Sequence, residues 1–183
     1  MITNAYMRKK EPELVRRRLL DCAAKIAASD GLDAITVQSV AVAAKVTKGG
    51  LAHHFPSKRA LIEEMFIDQL DKFGSAIDAV MANDPSKHGR FTRAYVRVVL
   101  DRRSSASVLW AAIAASMVAD KQAMRLWQKW IAERLDRHQD TDSDVHLQVV
   151  RYAADGAYYA NLSNDPPTVD EGVLLAKLLE MAK

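Results

Sequence analysis

Residues 36–58 read TVQSVAVAAKVTKGGLAHHFPSK, and this stretch decides the fold of the chain. Its first part predicts a short helix. Thr36 is a good N-cap residue, and Ile35 and Val40 on either side of it suit a hydrophobic staple. Apolar residues then follow one another at helical spacing, which predicts a single buried stripe: Val37, Val40, Ala41 and Ala44.

The second part of the stretch predicts another short helix after a tight turn. Thr47 is expected to cap a helix over residues 48–54, and Pro56 ends it because the residue before a proline disfavours helical backbone. Gly49 and Gly50 weaken such a helix by roughly 1 kcal/mol each relative to alanine. We therefore expect its exposed face to be kept for close approach to a partner. A helix, a turn and a small basic helix are typical of a helix-turn-helix whose second helix enters the DNA major groove.

Residues 44–61, AKVTKGGLAHHFPSKRAL, closely resemble the DNA-binding signature of the tetracycline-repressor (TetR) family of bacterial transcription regulators. The resemblance covers about residues 10–70 of this chain. Three positions depart from the usual family pattern: Lys45 replaces a glycine, Gly50 a threonine or serine, and Ala52 a tyrosine. Ala52 lacks the hydroxyl with which many members contact phosphate, and we expect Lys45 to replace that contact.

Charge is distributed unevenly along the chain. Residues 1–60 carry eleven lysines and arginines against five acids, a net charge of +6, whereas the remaining 123 residues carry fifteen against eighteen, a net charge of −3. A basic segment on an acidic body is typical of a nucleic-acid binder. Clusters of solvated charge are common on protein surfaces, so the asymmetry alone would not indicate nucleic-acid binding. It supports that function here because the basic residues coincide with the predicted helix-turn-helix.

The resemblance and the basic residues together predict which side chains contact DNA. Those expected to meet phosphates, base edges or the close-approaching backbone are Thr36, Gln38, Lys45, Thr47, Lys48, Gly49, Gly50, His53 and Lys58. Further candidates for flanking phosphate or a minor groove are Arg16, Arg17 and Arg18, or the N-terminal tail with Arg8, Lys9 and Lys10. His53 and His54 do not suggest a metal pair, because neighbouring helical residues point about 100° apart.

Beyond this stretch the pattern is helical, and we predict an all-α protein of about nine helices. A long fourth helix is expected from Ser57 to about Met81, loops at 83–89 and 139–143, and a helix over residues 104–119. We expect an N-terminal DNA-binding domain over residues 1–60 and a C-terminal ligand-binding and dimerisation domain over residues 61–183.

Aromatic and methionine side chains are frequent in the C-terminal part and suit an adaptable apolar ligand. The candidate pocket residues are Tyr95, Trp110, Met117, Met124, Trp127 and Tyr158. Asp155, Asn161 and Ser116 are candidate polar groups. Ordinary core packing is the alternative for each of them.

Two C-terminal helices have more apolar surface than one subunit needs to bury. The candidate dimer residues are Tyr152, Gly156, Tyr159, Leu174 and Leu178. The hypothesis is that these helices pair with their copies in a second subunit about a two-fold axis, as the resemblance also implies. The alternative is a last helix docked wholly within its own subunit.

Bulk properties narrow the function classes. A hydrophobic content of 49% indicates a globular protein, and no apolar run reaches the about 18 residues of a membrane span. The N-terminal segment predicts no secretory signal, and a single cysteine, Cys22, excludes an internal disulfide. The sequence contains no catalytic motif, so we expect a cytoplasmic protein that is not an enzyme and needs no cofactor or metal.

The sequence therefore predicts a ligand-responsive transcriptional repressor. It is expected to bind double-stranded DNA at a palindromic operator as a homodimer, and to be released by a small-molecule effector. Two other classes remain open: an all-helical interaction module whose basic face binds an acidic protein partner, and a helical enzyme that binds a small molecule.

Overall fold

The computed structural model describes residues 3–101, 120–160 and 169–183, with side chains from residue 12 onward. These residues form nine α-helices, one short 3-10 helix at Leu32–Ala34 and no strands, which confirms the all-α prediction. In chain order the helices are α1 (Thr3–Asp30), α2 (Val37–Ala43), α3 (Lys48–His54), α4 (Lys58–Met81), α5 (Arg90–Leu100), α6 (Lys121–Arg137), α7 (Gln139–Asp142), α8 (Val145–Ala160) and α9 (Glu171–Met181).

The chain divides into two compact units, Met1–Asp68 and Gln69–Lys183, and α4 contributes residues to both. The predicted long helix is confirmed, with Ser57 accepting a hydrogen bond from the Ala60 amide at 3.0 Å before its first turn. The helix expected over residues 104–119 lies outside the described residues. Among the helices that the structure describes, none is both long and apolar enough to cross a membrane.

The first unit is built from α1, α2, α3 and the first half of α4. Its core holds side chains from all four helices that are less than 5% exposed: Leu19, Ala23, Val40, Leu51, Phe55, Leu61, Met65 and Phe66. The first helix begins at Thr3, so Pro12 lies inside it. A proline within a helix removes one backbone hydrogen bond but still permits helical φ.

The second unit is organised around α5, against which α7, α8 and α9 pack. Seven of the eleven residues of α5 are buried. The segment 139–143 was predicted to be a loop, and this prediction was wrong: Gln139–Asp142 forms the short helix α7. The physical reason is Asp142, which is 1% exposed and accepts hydrogen bonds from the backbone amides of Phe91 and Thr92 at 3.3 and 2.8 Å.

Asp142 thereby caps the start of α5, where Gly89 has no side chain to do so. Gly89 has a left-handed backbone with φ of 65°, and a Cβ there would lie 2.4 Å from the Ala182 carbonyl oxygen. Arg93, in the first turn of α5, donates hydrogen bonds to the Ala182 and His88 carbonyls and to the Asp84 carboxylate, each at 2.7 Å. These bonds join the 83–89 loop, α5 and the end of α9.

Candidate functional site

In the α2–turn–α3 segment, each of the two helices begins at a threonine whose side chain caps it. Thr36 accepts a hydrogen bond from the Ser39 amide, and the Ser39 hydroxyl lies 2.9 Å from the Thr36 amide, which completes a reciprocal capping box. Thr47 caps α3 by accepting from the Gly50 amide at 3.0 Å. Both N-caps were predicted from the sequence and are confirmed. They satisfy amides that would otherwise be unpaired at the ends of short helices.

The turn between the two helices contains a strained lysine. Lys45 has a φ of 56°, and no other residue except glycine has a positive φ in the part of the chain described. Its amide donates to the Val42 carbonyl at 3.1 Å, and the Val46 amide donates to the Ala41 carbonyl at 2.9 Å, closing the end of α2. This left-handed conformation is the one that glycine adopts without strain, which explains the usual glycine at this position. The Lys45 side chain is exposed.

One face of α3 is anchored and the other is open. Leu51 is fully buried and Phe55, directly after the helix, is 2% exposed, so these two side chains hold α3 on the core. Lys48 and His53 are exposed, whereas His54 is half-buried. The open face therefore presents one ammonium and one imidazole that can donate hydrogen bonds to DNA.

The two glycines of α3 differ in their surroundings. A Cβ at Gly49 would have no neighbour within 4 Å, so that surface is open. A Cβ at Gly50 would lie 3.3 Å from the Thr47 hydroxyl that caps the helix. Gly49 therefore suits close approach of a partner, and Gly50 leaves room for the cap.

The remaining predicted DNA contacts lie around this face. Thr36, Gln38 and Thr47 are exposed. Lys58, also exposed, donates to the Asp33 carbonyl at 3.3 Å and so connects the start of α4 to the 3-10 helix. Eight of the nine predicted residues fall within α2, the turn, α3 or the start of α4, and the ninth, Thr36, is the N-cap of α2.

Arg16 and Arg17 do not have the free side chains that the sequence suggested. Arg16 donates to Glu64 at 2.8 Å and lies over the Phe55 ring at 5.1 Å. Arg17 donates to Asp68 at 3.0 Å. These arginines connect α1 to α4 inside the first unit, although the Arg17 side chain stays 57% exposed; Arg18 is exposed as well.

The candidate effector region lies in the second unit. Phe73 packs edge-on against Tyr95 at 5.9 Å and also contacts Trp127 and Trp130, with ring centroids 6.1 and 5.4 Å away. Met124, Trp127 and Tyr158 are half-buried, while Tyr95 is 1% exposed. Trp110, Met117, Ser116 and Asn161 lie outside the described residues. Phe73 is the member of this cluster that the sequence analysis missed, because its helical spacing predicted only core packing.

A carboxylate adjoins this aromatic cluster. The Tyr95 hydroxyl donates to Asp155 Oδ1 at 2.6 Å. Burial raises the pKa of Asp155 to about 6, although the Tyr95 hydrogen bond and the charge of Arg151 act in the opposite direction. Burial and the adjacent carboxylate also raise the pKa of Tyr95 well above its usual value, so its hydroxyl remains a donor.

The candidate dimer residues divide into an outer and an inner set. Tyr152 is 64% exposed and Tyr159 42% exposed, and Gly156 lies between them on α8 with open space around it. Leu178 is only 3% exposed in a single chain, so it packs inside its own subunit and leaves no surface for another. Leu174 is half-buried.

Other exposed apolar residues continue the outer set. On α8 they are Val145, 74% exposed, and Val149, 51% exposed, and on α9 Val173 is 63% exposed. The α8 residues recur at the spacing of one helical face. These three valines were not among the candidate dimer residues.

Two family models match the sequence. Residues 19–65 match "Bacterial regulatory proteins, tetR family", and residues 89–183, just over half of the chain, match "Tetracyclin repressor-like, C-terminal domain". A segment is also 45% identical over 58 residues to the HTH-type transcriptional repressor KstR2 of Rhodococcus jostii. That match spans 30% of this chain and only 28% of the relative's own length.

Solved structures share the fold. A transcriptional regulator of Streptomyces coelicolor, SCO7518, superposes with a TM-score of 0.72 at 16% identity, covering 92% of this chain and 98% of its own. The multidrug binding protein EbrR in complex with malachite green superposes with a TM-score of 0.70 at 17% identity, with the same coverage of both chains. At such low identity the likeness concerns the fold alone.

Proposed function

The chain belongs to the tetR family of bacterial regulatory proteins, and we propose that it is a transcriptional repressor that binds a palindromic operator as a homodimer and is released by a small molecule. The observation that carries the proposal is the open face of α3, which is capped, anchored and basic. The similarity of the N-terminal segment to the repressor KstR2 supports the repressor role.

In the proposed complex α3 of each subunit enters the major groove of one half-site. Lys48 and His53 contact phosphates or base edges, and Gly49 lets the helix backbone come close to the DNA. The exposed Thr36, Gln38 and Lys45 contact the sugar-phosphate backbone. Ala52, which is exposed and has only a methyl group, adds no hydrogen bond.

Release is proposed to begin in the second unit. An effector bound beside the cluster of Phe73, Tyr95 and Trp127 would favour a spacing of the two DNA-binding units in the dimer that no longer fits successive grooves. Helix α4 contributes residues to both units and is the proposed connection. This is a coupling between two binding sites, so the operator and the effector should each weaken the binding of the other.

The test is a selection of the purified protein against a random DNA duplex library at near-physiological salt. We expect enrichment of a palindrome whose half-sites lie roughly one helical turn apart. Recovery of only salt-sensitive, sequence-independent binding would contradict the operator model. It would favour the alternative in which the basic face binds an acidic protein partner.

The enriched duplex then tests the role of Lys48. Replacing Lys48 with alanine should weaken binding and reduce the slope of log affinity against log salt by about one, because one phosphate contact fewer releases one counterion fewer. Lys121→Ala removes an exposed lysine from the second unit and should leave the slope unchanged. An unaltered slope and affinity in Lys48→Ala would remove this residue from the contact set.

A further inference from the structure

Arg16 contacts two other elements of the first unit with one side chain. Its Nη2 donates to Glu64 Oε2 on α4 at 2.8 Å, and its guanidinium carbon lies 5.1 Å from the centroid of the Phe55 ring. Phe55 directly follows α3 and is its C-cap. A guanidinium is flat, so it can lie over an aromatic ring while its N–H groups donate within their own plane. Arg16 therefore joins α1 both to the end of α3 and to α4.

Phe55 is the side chain through which this contact reaches α3. Within α3 only Leu51 is buried, and Phe55 adds a second anchor with 2% of its surface exposed. A helix of seven residues with two glycines has little stability of its own, so its direction depends on these two anchors. A contact that fixes the Phe55 ring consequently fixes the C-terminal end of α3.

The neighbouring arginine forms a similar ion pair between α1 and α4. Arg17 donates to Asp68 on α4 at 3.0 Å and lies 3.9 Å from Asp21 on its own helix. Both of these partners are acidic residues of α1 or α4, and neither belongs to α3. The two ion pairs connect the same two helices and differ in the contact with the Phe55 ring. This difference allows the ring contact to be tested separately.

We infer that Arg16 is a positioning residue for DNA recognition, which holds Phe55 against α1 and α4 and so fixes the direction in which α3 presents Lys48. The inference rests on the proposed function, because it concerns the contact of α3 with the operator. Lys48 lies about 10 Å from Phe55 along the helix. A tilt of roughly 10° at the anchored end would move Lys48 by about 2 Å, which is more than a hydrogen bond to a base edge tolerates.

This role differs from the phosphate contact that the sequence suggested for Arg16. A phosphate contact supplies affinity for every duplex, because phosphates carry no sequence information. A positioning role affects the selected palindrome more than other duplexes, because base contacts need the correct direction of α3. The Arg16 and Glu64 side chains are 35% and 43% exposed, so their ion pair contributes little to global stability and its effect is expected in recognition.

The first test removes the acid rather than the arginine. Glu64→Ala takes away the partner of Arg16 and one negative charge. The full-length protein is titrated with the selected palindrome and with a scrambled duplex of the same length and composition. Charge alone predicts tighter binding to both duplexes. The positioning role predicts that the affinity for the palindrome relative to the scrambled duplex falls by roughly fivefold, because an ordered contact is weakened in each subunit. An unchanged ratio of the two affinities would overturn the inference.

Asp68→Ala is the matched control, because it removes the acidic partner of Arg17 from the same helix. It should leave the affinity ratio at the wild-type value, since this ion pair includes no residue of α3. An equal fall of the ratio in both variants would assign the effect to the pairing of α1 with α4 in general. That result would overturn the role of the Phe55 contact.

Arg16→Gln separates positioning from phosphate binding. It should lower the affinity ratio as Glu64→Ala does, and it should leave the slope of log affinity against log salt unchanged for the scrambled duplex. Lys25→Gln, which removes an exposed positive charge from the same helix, should leave the ratio at the wild-type value. A smaller slope with an unchanged ratio would show that Arg16 binds phosphate and would overturn the inference.

Hydrogen exchange in the free protein tests the contact without DNA. The amides of Leu51 and Phe55 donate to backbone carbonyls one helical turn earlier, at 3.0 and 2.9 Å. They should exchange faster in Arg16→Gln than in the wild-type protein or in Lys25→Gln, because the end of α3 loses its support. If Arg16→Gln does not fold, Glu64→Ala serves in this measurement as well.

The two kinds of measurement distinguish this inference from the function on which it rests. If exchange at the end of α3 rises but no palindrome is selected, the operator model is wrong and the contact of Arg16 with α3 stands. If a palindrome is selected while the affinity ratio and the exchange both match the wild-type protein, the inference is wrong and the operator model stands.

Discussion

At the scale of single residues, Lys45 combines an unfavourable backbone with a favourable charge. An L-residue in the left-handed region costs roughly 1–2 kcal/mol, and a side chain that is exposed recovers none of this by packing. Strain of this kind persists where the residue has another use. For Lys45 the proposed use is a positive charge beside α3, where the family pattern has a glycine without charge.

Two substitutions separate the strain from the charge. Lys45→Gly should raise the free energy of unfolding by about 1 kcal/mol relative to Lys45→Ala, because glycine adopts positive φ without strain. Both variants should bind the selected duplex more weakly than the wild-type protein, and to a similar extent. Urea unfolding and DNA titration measure the two effects. Equal stabilities of the two variants would exclude the strain, and wild-type affinity in both would exclude the phosphate contact.

The raised pKa of Asp155 makes the stability of the folded protein depend on pH. This pKa is raised from 3.8 to about 6 in the folded protein, so the folded state binds a proton more tightly than the unfolded state. The stability associated with this group is complete below pH 4 and is lost as the pH rises through 6. Asp155→Asn should therefore be more stable than the wild-type protein at pH 8, by an amount on the order of 3 kcal/mol, and this gain should shrink toward pH 4.

Denaturant unfolding at several pH values measures this difference. Asp140→Asn, which changes an exposed aspartate of α7, serves as the control and should follow the wild-type pH dependence. A constant difference between Asp155→Asn and the wild-type protein from pH 4 to pH 8 would contradict the raised pKa.

At the scale of elements, α3 is a helix whose composition favours contact over stability. It has seven residues, two of them glycines, and only Leu51 is buried. Short helices are marginal without tertiary packing. The capping bond from the Gly50 amide to Thr47 and the anchoring of Phe55 therefore hold the recognition helix in place.

Gly49→Ala should affect stability and DNA binding in opposite directions. Alanine favours a helix by about 1 kcal/mol over glycine, and a Cβ at this position meets no atom within 4 Å, so unfolding should become less favourable. Binding to the selected duplex should weaken, because the added methyl group occupies the surface that approaches DNA. Ser75→Ala, an exposed change to alanine on α4, should leave DNA affinity unaltered. A stabilised variant with wild-type affinity would show that Gly49 does not approach the DNA closely.

Sequence reasoning succeeds for elements whose signals are local. Thr36, Thr47 and Pro56 define the ends of α2 and α3 because caps and prolines act within a few residues. Sequence reasoning fails where an element depends on contacts with a residue that is distant in the chain. Asp142 caps α5 from about fifty positions away, so nothing near residues 139–143 indicated a helix there.

The same distinction applies to the candidate site. The basic face of α3 follows from its own sequence, and its residues lie where they were expected. The engagement of Arg16 and Arg17 by Glu64 and Asp68 depends on how α1 packs against α4, which no local pattern records. Arg151 is likewise held by Thr92, which lies on another helix and about sixty positions away in the chain.

At the scale of the whole molecule, the proposed repressor depends on a second subunit. A palindromic operator mirrors a protein two-fold axis, so each subunit supplies one α3. The outer face of α8 is defined by Val145, Val149, Tyr152, Gly156 and Tyr159, and it exposes more apolar surface than scattered single residues do. Helix α9 adds Val173 to this surface, whereas Leu178 belongs to the core of its own subunit.

Tyr152→Glu tests whether this face forms the dimer. A charge placed in an apolar interface is costly, so the variant should be monomeric at micromolar concentration and should bind a single half-site weakly. Leu14→Glu is a matched control, since Leu14 is 61% exposed on α1 and Tyr152 64% exposed on α8. Light scattering gives the mass, and titration of the palindrome gives the affinity. If Tyr152→Glu remained dimeric with wild-type operator affinity, the two-fold axis would lie at another surface. A monomeric wild-type protein would instead contradict the dimer, and the recognition of a palindrome would then require the DNA to bring two chains together.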